Sequence, residues 1–431
     1  MKLRQTLLLL AIALASCETP PPPPSALPPS LEGYWRGQFQ RGDATLPVEL
    51  DFTRTDGALA GRFSSPDLRA LGIPLQDVRQ DGAAAHFVLA GDRTAAVFDG
   101  AVSAGALSGA YTEAGVDGRF IFARVTAPPA CTEIPAQFSN GAVALSGSLV
   151  LPAHTPAPAA VLFLHGSGAE ARDASRFEAN LLCRAGYAAL IYDKRGVGRS
   201  TGDWREATFQ DLAADAGAGL EWLTARPELD SAHIGIYGHS QGATIAPLVA
   251  TRSGHVAFII AGAGAIGSTA DVERYSLRNT VNGDVHSEAQ RREAYAFVDR
   301  VVTAGSSGRG LRALLADAPH YADRAWYFPL PAAESYYWAF QRRIADYDSA
   351  RYWAEVRIPV LLIYGEDDAR VPPSSAASIR SVLPRATPAE TLIISDADHS
   401  YMRHRDGEPW PHLAPEFQQT LLAFVRAHAA S

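Results

Sequence analysis

His233-Ile234-Gly235-Ile236-Tyr237-Gly238-His239-Ser240-Gln241-Gly242 carries a G-x-S-x-G pentapeptide at the end of a strand-like apolar run. Ile234, Ile236 and Tyr237 supply a buried strand before it, and Ala243–Ala250 reads as the helix after it. Gly238 and Gly242 suit a turn so sharp that strand and helix nearly touch, leaving the serine between them in strained geometry with its hydroxyl exposed. Ser240 is therefore a candidate nucleophile.

Serine at its ordinary pKa is a poor nucleophile, so Ser240 needs a base within hydrogen-bond reach and an acid to orient that base. Downstream, the apolar strand Val360–Tyr364 runs into Gly365-Glu366-Asp367-Asp368-Ala369-Arg370-Val371-Pro372, which sets an acid at a strand's carboxyl end. Leu392–Ile394 is another strand, closely followed by Asp396-Ala397-Asp398-His399-Ser400. Asp368 and Asp367 compete for the acid, and His399 competes with His404 and His412 for the base. His399 stands only a short loop past its strand, whereas His404 lies in an arginine-rich stretch that reads as surface.

Away from these motifs the chain changes texture twice. From Leu31 to Val125, short strand-like runs alternate with glycine turns: Val48, Leu50 and Phe52 point one way while Glu49, Asp51 and Thr53 point the other, and Asp56-Gly57 and Asp81-Gly82 supply hairpin turns. Residues 31–126 are expected to form a small all-β barrel or sandwich. Residues 127–137, rich in proline, read as a linker. From 138 to 431, apolar runs such as Ala159–Leu164, Ala188–Tyr192 and Ala257–Ile260 alternate with helix-length segments, the pattern of a doubly wound, mostly parallel sheet with its site at the carboxyl ends of the strands. No convincing strand falls between about 268 and 354. That stretch is expected to be a helical lid over the site, with Trp326, Tyr327, Phe328, Tyr336, Tyr337, Trp338 and Phe340 either building its own core or facing the site as an apolar acyl pocket.

The portion from about Phe138 onward resembles the α/β-hydrolases, specifically the exported bacterial branch that joins a small β-domain to an esterase-like or prolyl-oligopeptidase-like catalytic domain. Gly238-His239-Ser240-Gln241-Gly242 is joined in this resemblance by Leu164-His165-Gly166-Ser167-Gly168, by the segment Tyr192–Gly202 and by Gly365–Pro372, all in the family's order. In the family pattern the acid precedes Val-Pro with two residues between, which selects Asp368 and leaves Asp367 a variable slot. The resemblance implies a triad of Ser240, Asp368 and His399, in the chain order of α/β-hydrolases. It also implies an oxyanion hole from the backbone N–H of Gln241 and that of Ser167 or, failing that, Gly168. Asp193, Lys194 and Arg195 lie in a loop that is mainly structural in the family.

The amino terminus reads as an address. Residues 1–16 combine a basic start, Lys2 and Arg4, with an apolar run from Leu7 to Leu14 too short for a permanent membrane span. Leu14-Ala15-Ser16-Cys17 resembles the lipobox of bacterial lipoproteins, in which Cys17 becomes the lipidated first residue; a plain secretory peptide is the alternative. Glu18 rather than aspartate after Cys17 implies the outer membrane, at its periplasmic face, by the same resemblance. Residues 17–30, dense in proline, form an extended spacer. Export makes a disulfide between the remaining cysteines, Cys131 and Cys183, feasible, with two buried thiols as the alternative.

The formal net charge of −8 becomes two units more negative once Lys2 and Arg4 leave with the leader, which argues against a nucleic-acid partner. Lys194 is then the sole lysine. No Cys/His cluster has metal-ligand spacing, and no dinucleotide or phosphate-loop pattern stands in its required context, so neither metal nor cofactor is expected. The combined expectation is a serine hydrolase acting on small uncharged carboxylic esters through an acyl-enzyme on Ser240. A peptidase or thioesterase could use the same groups, and a binding protein with a silent hydrolase domain is a further alternative.

Overall fold

The computed structural model describes residues 29–91, 94–103 and 105–429; the leader, Cys17 and most of the proline-rich spacer lie outside them. In the amino-terminal part, β1 (Gly33–Arg41), β2 (Ala44–Thr55), β3 (Ala58–Ser65), β4 (Ala70–Pro74), β5 (Gln76–Asp81), β6 (Ala84–Ala90), β7 (Ala95–Ser103), β8 (Ala106–Glu113) and β9 (Val116–Val125) form one sheet in the order β4-β3-β2-β1-β9-β8-β7-β6-β5. Its terminal strands β4 and β5 are separated in sequence only by Leu75, whose N–H donates to the carbonyl of Gly61 on β3 at 2.8 Å. The sheet thereby closes into a barrel, filled by inward aromatics such as Trp35, Phe52, Phe87 and Phe98. β4 and β5 were not legible as strands, because Gly72, Pro74 and the polar run from Gln76 to Asp81 give them little alternation to read. Barrel closure, which removes the exposed edges, holds them in place.

The carboxyl-terminal part is built on a second sheet of β10 (Cys131–Asn140), β11 (Val143–Pro152), β12 (Ala159–Leu164), β13 (Ala188–Tyr192), β14 (Asp230–His239), β15 (Val256–Gly262), β16 (Val360–Gly365) and β17 (Ala389–Ile394). Their order is β10-β11-β13-β12-β14-β15-β16-β17, antiparallel from β10 to β13 and parallel from β13 to β17. The expected linker over 127–137 is corrected here: only residues 126–130 lie between the two sheets, and Cys131 onward is strand. Pro135, read from sequence as a break, is tolerated because β10 is an edge strand with a single neighbour and needs no second ladder of donors.

Helices α1 (Arg176–Arg184), α2 (Phe209–Thr224) and α3 (Gln241–Arg252) follow β12, β13 and β14. Between β15 and β16 come α4 (Thr269–Asn282), α5 (Glu288–Ser307), α6 (Leu311–Asp317), α7 (Tyr336–Ile344) and α8 (Ala350–Trp353); α9 (Ser375–Val382) and α10 (Pro415–His428) complete the set. The central strands β12, β13 and β16 are buried along their whole length, because α2, α3, α8 and α9 cover one face of the sheet while α1 and α10 cover the other. A disulfide joins Cys131 on β10 to Cys183 on α1. Its position ties the edge strand to the first crossover helix.

Candidate active site

Ser240 sits between β14 and α3 with φ 55° and ψ −117°, a left-handed conformation that L-residues avoid unless their surroundings impose it. Here the imposition is steric. A Cβ on Gly238 would lie 2.4 Å from the carbonyl carbon of Gly242, and one on Gly242 would lie 2.5 Å from the carbonyl oxygen of Leu164, so neither position accepts a side chain. The Ser240 N–H donates to the carbonyl of Gly262 on β15 at 2.8 Å, anchoring the elbow to the neighbouring strand.

Asp368, in the loop after β16, has its side chain fully buried, while Asp367 is exposed. Asp368 Oδ1 accepts the N–H groups of Arg370 and Val371 at 2.7 and 2.9 Å, which leaves Oδ2 facing His399 Nδ1 at 2.8 Å. Tyr275 of α4 donates its hydroxyl to the Asp368 carbonyl at 2.7 Å, so the lid helps to hold the acid loop. His399 rides on the turn after β17, which the Asp398 carboxylate folds by accepting from the N–H groups of Ser400 and Met402 at 2.8 and 2.9 Å. The competing histidines stand elsewhere: His404 is exposed beside Asp398 at 3.3 Å, and His412 lies between Asp67 and Glu408 at 3.0 and 3.1 Å.

Sequence reading missed His239. Its Nε2–H donates to the His399 carbonyl at 2.9 Å, and burial, reinforced by the neighbouring His399, pushes its pKa down to about 4, so it stays neutral and supports the backbone of His399. Only its place inside the pentapeptide could have drawn attention to it.

Ser167 and Gln241, the expected oxyanion donors, both line the same cleft as Ser240 and His399. Gln241 begins α3, so its N–H is among those without a partner inside the helix. The loop after β12 is held by Glu170, which accepts the Gly166 N–H at 2.6 Å, and by Lys194 Nζ, which donates to the carbonyls of Gly166 and Gly168 at 2.7 and 3.1 Å. Lys194 makes its third bond to Gln241 Oε1 at 2.9 Å. The flanking charges are structural: Arg172 grips Asp193 with Nε and Nη2 at 3.0 and 2.7 Å, and Arg195 grips Asp215 with two bonds of 2.7 Å.

The profile of the X-Pro dipeptidyl-peptidase (S15) family matches residues 140–401. The chain belongs to this family. It has the α/β-hydrolase fold and carries a β-barrel ahead of the family region. Among solved structures, an esterase from Pyrococcus furiosus is similar at a TM-score of 0.46 and 19% identity, over 70% of this chain and 92% of its own. An esterase from Exiguobacterium antarcticum is similar at 0.43 and 16%, over 68% and 99%. An uncharacterised protein of Mycobacterium tuberculosis is 37% identical over 75 residues, which is 17% of this chain and 26% of that protein, so the chain matches about a quarter of this relative's length.

In this S15-family hydrolase the cleft over Ser240 has a volume of about 810 Å³ and three walls. One is aromatic, from Tyr336, Tyr337 and Phe340 of α7, with Trp204 packed edge-on against Tyr336 and Phe340 at 5.4 and 5.7 Å between ring centroids. The second is polar, from Glu170, Glu273 and Arg370. Tyr337 donates its hydroxyl to Glu273 Oε1 at 2.8 Å, and burial raises the Glu273 pKa. The third comes from the barrel, whose Arg69 pairs with Glu178 of α1.

Two sequence-level expectations change here. The lid aromatics divide: Trp326 and Trp338 are buried in the lid's own core, where Trp338 Nε1 donates to the carbonyls of Pro331 and Ala332, whereas Tyr336, Tyr337 and Phe340 face the cleft. Helical periodicity puts Trp338 on the side of α7 away from Tyr336 and Phe340, with Tyr337 between them and packed against Trp338. The pocket is also not an apolar one with few charges, because loops distant in sequence deliver Arg69, Glu170 and Arg370 to it.

Proposed function

We propose that the protein hydrolyses carboxylic esters through an acyl-enzyme formed on Ser240. Supporting this is one observation above the others: a strained serine on the β14–α3 elbow shares a cleft with His399, whose Nδ1 is held by the buried Asp368. Ser240 Oγ attacks the acyl carbon while its proton passes to His399 Nε2; Asp368 keeps that nitrogen unprotonated in the resting state and stabilises the imidazolium that follows. The carbonyl oxygen, gaining negative charge, is held by the N–H groups of Ser167 and Gln241. His399 then protonates the departing alkoxide, and water, deprotonated by the same imidazole, clears the acyl group. The aromatic wall of Tyr336, Tyr337 and Phe340 suits a small or medium uncharged acyl chain.

A peptidase reading has its own support in membership of a peptidase family and in the half-buried carboxylates Glu170 and Glu273, which could meet a cationic substrate amine. Turnover on p-nitrophenyl acyl esters, compared with aminoacyl and Xaa-Pro anilides, separates the two. Esters favoured by kcat/KM uphold the proposal, and anilides favoured by a similar margin replace it with peptide hydrolysis.

Export and lipid anchoring at Cys17 are proposed from the leader alone. Cys17→Ser is expected to release an active protein from the membrane fraction, and unchanged membrane association would remove the anchor.

A further inference from the structure

Lys194 is buried, it is the only lysine besides Lys2, and none of its three hydrogen bonds goes to a carboxylate. Burying an ammonium without a partner anion is costly, and an apolar residue of similar length would fill the space without that cost. What the ammonium contacts explains its presence. Gly166 and Gly168 flank Ser167, and Gln241 follows Ser240; the two residues expected to present N–H groups to the developing oxyanion are therefore held through one nitrogen. Trp204 lies over the same ammonium, 5.5 Å from ring centroid to Nζ, and carries the contact on to Tyr336 and Phe340 of the lid.

We propose that Lys194 is the positioning residue of the oxyanion hole: its ammonium bridges the loop after β12 to the first residue of α3, setting the spacing of the two backbone donors and adding a fixed positive charge behind them. This rests on Ser240 being the nucleophile. No proton leaves Lys194 during turnover; it acts by holding the backbone groups and by its charge, without touching the substrate. Once neutral, the amine keeps only two N–H donors for three acceptors, so one of the three bonds of the bridge is lost. Burial pushes the Lys194 pKa down to about 8, against the opposing pull of Glu170, which brings that loss near the working range. The other ionisable groups around it are settled: His165 is held neutral by burial, Asp193 is gripped by Arg172, and Asp215 by Arg195.

The single mature lysine makes the test direct. In the full chain carrying Lys2→Arg, lysine labelled with ¹³C at the ε carbon reports Lys194 alone, and its titration is followed by NMR with and without n-butylboronic acid, which forms an anionic tetrahedral adduct on a serine hydroxyl. The expected result is an upward displacement of the Lys194 titration by at least one pH unit in the adduct, and a fall of kcat in the untreated enzyme along the same alkaline titration. Lys194→Met is expected to lose about a hundredfold in kcat with KM changed less than threefold, the scale of losing one oxyanion donor. A Lys194 titration unmoved by the boronate, or Lys194→Met keeping kcat within threefold of native, overturns the proposal. If the variant does not fold, the titration of the native residue decides. Failure of the Ser240 assignment looks different: fluorophosphonate then does not label Ser240, and the Lys194 proposal falls with it.

Discussion

Arg69, on the turn between β3 and β4 of the barrel, donates to Glu178 of α1 on the wall of the cleft that holds Ser240. The same turn presents the Asp67 carbonyl to the Leu413 N–H at 2.8 Å and the Asp67 carboxylate to His412 at 3.0 Å. The barrel therefore supplies part of the cleft that holds Ser240. Arg69→Met leaves the buried Glu178 without its partner, and removing one member of such a pair costs about 3 kcal/mol. A clear drop in Tm is expected for Arg69→Met, recovered in large part by adding Glu178→Gln. Equal melting of native and single variant would show the pair to be idle.

Ser240→Ala is expected to lose several orders of magnitude in kcat while melting within a few degrees of the native chain, because the group removed is the proposed nucleophile and not a core side chain. Its fluorophosphonate labelling should vanish with the activity. Persistent turnover by the purified variant would move the nucleophile elsewhere.

Asp368→Asn and Asp367→Asn should separate sharply. The first alters the carboxylate that holds His399, favouring the wrong tautomer, and is expected to cost about 10⁴ in kcat; the second changes an exposed group and should leave kcat within about twofold of native, as surface substitutions do little. A reversed ranking by steady-state kinetics would shift the acid by one residue.

Among the lid aromatics, Phe340→Ala and Tyr337→Ala should change the preferred acyl length on an ester panel, since both line the cleft. Trp338→Ala is instead expected to lower stability by about 3–5 kcal/mol, the cost of emptying a core aromatic, with the length profile unchanged. A length profile that moves with Trp338 and not with Phe340 would reverse the division of the lid.

His165 is buried and donates from Nε2 to the Tyr192 carbonyl at 2.5 Å, with its pKa depressed to about 3. A histidine whose folded pKa lies below its unfolded value near 6.5 takes up protons on unfolding, so stability is full above that value and is lost as pH falls toward the folded pKa. His239 adds to the same trend, with its folded pKa near 4. Tm should decline between pH 6.5 and 4, and less steeply in His165→Asn. Parallel Tm curves for the two proteins would remove His165 from the acid response.

Much of the catalytic domain was legible because its marks are local. Strand β14, the elbow and α3 follow from apolar residues at strand spacing, two glycines at fixed offsets and a helix-length run, and the loops after β16 and β17 offered the acid and base in the expected order. Choosing Asp368 over Asp367 needed a family pattern, since adjacent acids at a strand end look alike until one is buried. β4, β5 and β10 escaped because strands at a seam or an edge take their order from neighbours and tolerate glycine, proline and polar side chains that spoil the alternation.

Residue type and spacing in this chain were enough for the elbow serine, the order of the triad candidates and the two-part architecture, because backbone sterics and side-chain periodicity act over a few neighbouring positions. Packing brought Arg69 to Glu178, Lys194 to Gln241 and Glu273 to Tyr337, pairs separated by 109, 47 and 64 positions. Lys194 at least left a trace in its isolation as the only lysine besides Lys2, whereas nothing around Arg69 distinguished it from the other barrel arginines. Such pairs depend on how the barrel, the sheet and the lid bury one another, and no local pattern encodes that.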